Sequence, residues 1–221
     1  MDDVKRKSAM LMTKGIIELR QSPPALVCTI RRFKHPMSGK EVTLYPVPNI
    51  AAPHYFRRIL DAHHLTNNFD KVLCEDGRLP FQAGTALARR HEVFKRLLPF
   101  LSLRPVVVNG DKFDGIVERD PLESRMAYQM LLDGADPPVD PRARRAIERI
   151  EGYADATKTV CPWGVYHLVY MTYRLRTLGY TVESEEELEV VGMKEVMVLG
   201  CFMGITTFWM MYALYRMLFG F

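Results

Sequence analysis

The chain of 221 residues is 48% hydrophobic and 25% charged, with a formal net charge of +4 at pH 7, enough for one domain of ordinary size and about twenty residues more. Its basic clusters (Arg31-Arg32, Arg57-Arg58, Arg142 to Arg145) are spread along the chain and answered by acidic runs, which excludes the concentrated basic patch with interleaved aromatics that a nucleic-acid surface needs. Four cysteines, Cys28, Cys74, Cys161 and Cys201, stand too far apart for a metal motif or a disulfide framework, so a reducing compartment is expected, with neither metal nor cofactor.

In chain order, residues 1–24 read as an N-terminal extension. It is acidic at Asp2 and Asp3, basic at positions 5 to 7, and without the long apolar run of a secretory signal. Residues 25–33, "ALVCTIRRF", and 41–47, "EVTLYPV", are strand-like and joined by Pro, Ser and Gly, which predicts a β-hairpin. "APHYFRRILDAHHL" has helical spacing behind a proline suited to a first turn. "FDKVLCE" follows as a strand beside the first, and a short helical crossover of this kind favours parallel pairing. A helix is expected over 85–101 and a buried strand over 104–111, ending in the turn Asn109, Gly110, Asp111.

Further helices are expected at 121–133 and 141–153, the second with Asp140 as cap and Pro141 in its first turn. An aromatic helix from Trp163 to Leu178 should pack on the domain, contact of one face with lipid or a partner being the alternative. The fold class is therefore α/β, a mixed or parallel sheet flanked by helices over residues 25–182, followed by an acidic linker at 183–195. From Val196 to Tyr215 no residue is charged. As a helix that stretch would be about 30 Å long, the hydrocarbon thickness of a bilayer, and it predicts one transmembrane helix before a short tail, 216–221. Trp209, Tyr212 and Tyr215 suit its interfacial end, and Gly200 with Gly204 gives a Gly-x-x-x-Gly face for a packing helix.

Ligand sites in open α/β sheets form beyond the carboxyl ends of parallel strands. That rule gathers Asn49, Glu75 and Asp111, an amide and two carboxylates able to bind a cation or activate water if their geometry allows. Here "VTLYPVPNIAAPHYFRRIL" followed by "FDKVLCEDG" resembles the opening strand–helix–strand of the TraB family, over roughly residues 40–78. Members of that family show a Gly-x-x-His or Gly-x-x-x-His turn and a strand ending D-x-V-L-x-E. The resemblance implies a mixed α/β fold, membrane-associated relatives and, in some branches, metal-dependent peptidase chemistry using the His and the Glu. Glu75 keeps the family acid, whereas Asn49 stands at the family His and the preceding Gly is lost within "PVP".

An amide is neither a general base nor a good ligand for a transition metal. His54 lies about one and a half helical turns on and faces elsewhere, and His63 and His64 read as ordinary helix surface. The plain structural role for Glu75 is to cap a turn or pair with an arginine. The chain reads as a degenerate TraB-like pseudoenzyme: a non-catalytic accessory subunit of a membrane complex, in contact with lipid and other subunits, with the mitochondrial inner membrane and a respiratory or ATP synthase assembly as the setting. The alternatives are an active tail-anchored metal-dependent hydrolase using Glu75 and Asp111, and an organelle-surface tether.

Overall fold

The computed structural model describes residues 15–75, 98–106, 113–117, 126, 129–130 and 139–219. Strands β1 (Ile17–Gln21), β2 (Pro24–Lys34), β3 (Glu41–Val47) and β5 (Lys71–Glu75), with β7 (Gly115–Val117), β8 (Lys158–Gly164) and β9 (Thr181–Val191), form one mixed sheet. A separate two-residue ribbon joins β4 (Ile50–Ala51) to β6 (Arg104–Pro105). The helices are α1 (Pro53–Ile59), α2 (Ala62–Asn68), α3 (Pro141–Gly152), α4 (His167–Thr177) and α5 (Met193–Phe219), and a 3-10 turn occupies Leu98–Leu101. The α/β class with a mixed sheet and flanking helices is thus the fold of the chain.

The hairpin of β2 and β3 forms as its sequence dictates, antiparallel with Arg31 opposite Leu44 and Lys34 opposite Glu41. The crossover from β3 to β5 does give parallel strands, but they are not neighbours. β8 lies between them, parallel to β3 from Glu41/Lys158 to Val47/Gly164 and to β5 at Lys71/Thr159 and Val72/Val160. Residues expected as the start of an aromatic helix are therefore the end of a buried central strand. Only from His167 does the chain turn helical. The helix after β3 is also split: Asp61 interrupts it and caps α2, its Oδ1 accepting from the N–H of His63 at 3.0 Å and of His64 at 3.4 Å.

The acidic run is no linker. It lies within β9, paired antiparallel to β2 from Leu26/Val191 to Lys34/Thr181. Glutamates are poor strand formers, yet here four of the five in the run face a cation from β1, β2 or α1. Glu189 meets Arg20 at 2.9 Å, Glu185 meets Arg31 at 2.8 Å, Glu183 meets Lys34 at 3.5 Å, and Glu186 pairs with Arg58. Pairs this exposed contribute about 0–1 kcal/mol each, so they set register and offset repulsion while the ladder and the buried Leu188 and Val190 hold the strand. The domain accordingly extends to Val191, and at its other end β1 places residues 17–21 of the expected extension in the sheet.

The main core gathers Phe33, Val42 and Leu44 of the sheet with Tyr55 and Ile59 of α1, Ile147 and Ile150 of α3, and Leu168, Met171 and Leu175 of α4. Tyr55 is buried and donates its hydroxyl to the Pro46 carbonyl at 2.6 Å. α5 starts from the domain: Glu195 accepts from the Gly192 N–H at 3.1 Å, and Val198 packs with Ile50, Leu98, Leu103 and Val191. Twenty-seven residues of helix extend about 40 Å. Among the described residues, no helix is long and apolar enough to cross a membrane, so the transmembrane reading of 196–215 finds a helix in the structure and no further support there. Of the helix expected over 85–101, residues 98–101 form the 3-10 turn and 85–97 lie outside the described residues; of the strand expected over 104–111, Arg104–Pro105 is β6 and 107–111 lie outside them, as does most of 121–133.

Asp70, before β5, fastens two strands at their starts. It accepts from the Thr157 N–H at 2.9 Å, the Thr157 hydroxyl at 2.8 Å and the Lys158 N–H at 2.8 Å, and these donors hold its carboxyl below the usual carboxylate range. A depressed folded value means the stabilisation is complete above the unfolded value and fades as pH falls through the folded one. Thermal melts of Asp70→Ala against the parent should therefore show a deficit that is largest at neutral pH and shrinks below about pH 4.

Candidate functional site at the strand ends

β3, β8 and β5 run parallel and side by side, so their carboxyl ends open on one edge of the sheet. Glu75 is the last residue of β5 and Gly164 the last of β8. α3 brings its first turn to the same place because Asp140 caps it, Oδ1 accepting from the Ala143 N–H at 3.0 Å, and Pro141 fixes the entry. That turn carries Arg142. α4 begins three residues after Gly164 and brings His167.

These side chains form one line of hydrogen bonds. The Gly164 N–H donates to Glu75 Oε2 at 3.1 Å, and Arg142 Nη2 donates to Glu75 Oε1. The same Nη2 lies 2.6 Å from His167 Nε2, and His167 Nδ1 contacts Asp140 Oδ2. A guanidinium only donates, so Nε2 must accept and the imidazole carries its proton on Nδ1, given to Asp140. The line ends in backbone N–H groups, Gly164 at one end and Ala143 at the other. Arg142 is 1% exposed, Asp140 4% and His167 8%. One carboxylate, one guanidinium and a neutral imidazole thus sit out of water, each with a partner, as buried charge requires, while the Glu75 side chain keeps 15% of its surface exposed.

Gly164 is required by closeness. A Cβ there would lie 2.9 Å from Glu75 Oε2 and 3.3 Å from His167 Cδ2, leaving no room for a side chain without moving the carboxylate or the ring.

Of the residues expected at the site, only Glu75 joins this line. Asn49 follows the end of β3 on the same edge, held by its backbone, with its carbonyl accepting from the Val106 N–H at 2.9 Å. Asp111 lies outside the described residues. His54, His63 and His64 are on the surface, the last two beside Asn67 and Asn68 of their own helix. The imidazole at the strand ends is instead that of His167, which the sequence reading did not weigh, placed by the start of α4 just after β8. The signal was present in the sequence, since Gly164-Val165-Tyr166-His167 has the Gly-x-x-His spacing sought at Asn49.

The donor set does not fit a metal ion. The guanidinium of Arg142 occupies the place between Glu75 and His167 where a cation would sit, and it takes up the Nε2 lone pair. Among the described residues no group of His, Cys, Asp and Glu has metal-holding geometry. Cys28 and Cys161 are not activated thiols. Burial pushes Cys28 up to about 11, against a smaller opposing effect of its hydrogen bond with Tyr55, and raises Cys161 further, with the neighbouring Cys74 adding to the rise. Thiols so shifted stay protonated and inert.

Comparison with family models, with curated proteins and with solved structures gives no match to any of them.

Removing the cation should leave two uncompensated partners. Arg142→Met is expected to cost about 3–5 kcal/mol in denaturant unfolding, with a substantial part restored when Glu75→Gln is added. Gly164→Ala should cost about 1–3 kcal/mol by overpacking against the same carboxylate.

Proposed function

We propose that this chain is a non-catalytic accessory subunit of a membrane protein complex, its α/β domain outside the bilayer and the uncharged residues 196–215 of α5 inside it. The observation that carries the first half is the position of Arg142. General base catalysis needs a lone pair free to take a proton, and here the guanidinium holds both the acid and the imidazole. The ancestral cleft of a TraB-like hydrolase would then survive as a buried ionic tie joining β5, β8, α3 and α4.

The second half is supported by α5. Past its first turns the helix exposes Met197, Ile205, Phe208, Trp209, Met210 and Met211, with Trp209 61% and Phe208 68% exposed. Contiguous apolar surface on this scale calls for lipid or another protein. Nothing lies within 4 Å of where a Cβ on Gly200 or Gly204 would be, so a helix of another subunit can approach that face closely. The side chains of Tyr212 and Tyr215 lie outside the described residues, and their interfacial role is carried by sequence position. The setting we propose is the mitochondrial inner membrane, in a respiratory or ATP synthase assembly, where single-helix subunits with a domain to one side are a natural part of the architecture.

One observation favours a second reading, an active hydrolase: Glu75 and the Gly-x-x-His turn do meet at the strand ends. It requires Arg142 to withdraw. Gentle extraction from native membranes followed by mass spectrometry, with metal analysis of the same sample, separates the two. The accessory-subunit reading expects a stable set of co-migrating proteins and no stoichiometric transition metal. A bound zinc or manganese lost in both Glu75→Gln and His167→Ala, or a chain that purifies as a solitary monomer, would contradict it.

A further inference from the structure

Resting on the membrane reading of α5, we infer that the domain stands directly on the bilayer, on a foot made by the 3-10 turn Leu98–Leu101, the β4–β6 ribbon and the root of α5. The surface this foot fits is that of anionic phospholipid headgroups. The inference comes from a lack of slack. The uncharged stretch begins at Val196 and as a helix is about 30 Å long, little more than the hydrocarbon layer it has to cross. Yet Val198, already inside that stretch, is packed in the small core of Leu98 and Leu103 with Ile50 and Val191. The helix therefore has no free turn between leaving the protein and entering the membrane, and whatever surrounds Val198 must lie at the headgroup level.

The joint is held on the domain side too. The Gly192 N–H is taken by Glu195 at 3.1 Å, the Leu103 N–H by the Leu98 carbonyl at 2.9 Å, and the Ala52 N–H by the Val190 carbonyl at 2.9 Å. A stiff joint transmits the seating of the foot to the whole sheet. The foot also carries the charge such a surface selects: Arg104 on β6 and Lys194 one turn before Val198 are both exposed, while Glu195 at the same level is turned to the Gly192 N–H. Basic side chains at this depth are drawn to anionic lipid phosphates. The opposite end of the domain gives an internal control. Met37, 89% exposed in the β2–β3 turn, is separated from the foot by the full length of β2 and β9, about 35 Å.

The test uses the full chain in a Cys201→Ser background, since Cys28, Cys74 and Cys161 are buried. A fluorophore is attached at Pro99→Cys or at Met37→Cys, and the chain is placed in nanodiscs of phosphatidylcholine and phosphatidylserine doped with a headgroup-nitroxide lipid. The label at 99 should be quenched about twofold or more and the label at 37 left bright, and at 99 a nitroxide carried on the phosphatidylserine headgroup should quench more than one carried on phosphatidylcholine, a preference that Arg104→Glu with Lys194→Glu removes. Carbonate washing of vesicles holding the same chain reports anchoring separately. A carbonate-resistant chain unquenched at 99 overturns the foot and leaves the anchor standing. A chain stripped by carbonate overturns both. Equal quenching at 99 by the two nitroxide lipids, or a preference for the anionic one that survives the charge reversal, overturns the anionic-headgroup assignment.

Discussion

A single buried guanidinium organises the functional edge of this fold. Arg142 bonds to an acid from β5 and an imidazole from α4, while its own helix is capped by the aspartate that receives the imidazole proton. Each bond fixes the next: the cap orients Arg142, Arg142 selects the tautomer of His167, and the glycine amide at the end of β8 holds the other oxygen of Glu75. Buried ion pairs of this kind are weak sources of net stability, but breaking one from a single side is costly because it strands charge in a low dielectric. The tie therefore acts chiefly as a specification of how two helices and two strands meet. In this arrangement the Nε2 lone pair of His167 is taken up by the Arg142 guanidinium.

The opposite side of the sheet depends on charge in another way. β9 carries a run of glutamates whose mutual repulsion would disfavour a strand, and β2 and its neighbours supply the cations that answer them. Because β9 leads directly to Gly192 and α5, its register places the root of that helix against Leu98 and Leu103. Ion-pair register, a small satellite core and helix direction are successive links in one chain of cause.

Local chemistry made part of this legible in the sequence. The β2–β3 hairpin, the strand ending at Glu75 and the Asp140-Pro141 start of α3 follow from turn residues, alternation and capping, and Glu75 proved to have the plain role of pairing with an arginine. What escaped was non-local. The placing of β8 between β3 and β5 is decided by burial on both faces, and its Pro162, Trp163 and Gly164 mimic a loop entering a helix. β9 looked like a solvated linker because glutamates favour solvent until a partner strand supplies opposite charge. Asn49 drew attention because it follows the first parallel strand. The imidazole in fact arrives from the start of α4 after β8, where Gly164 and His167 show the same Gly-x-x-His spacing but lie far from Glu75 in the chain.

Arg142 holds His167 by Nε2 while Asp140 holds it by Nδ1. Long-range nitrogen–proton NMR spectra of the His167 ring in the full chain at neutral pH test it most directly. The account predicts a neutral ring with a slowly exchanging proton on Nδ1 and an unprotonated Nε2 whose signal changes in Arg142→Met. A ring protonated on Nε2, or an Nε2 signal displaced by a bound metal and restored by a chelator, would contradict it.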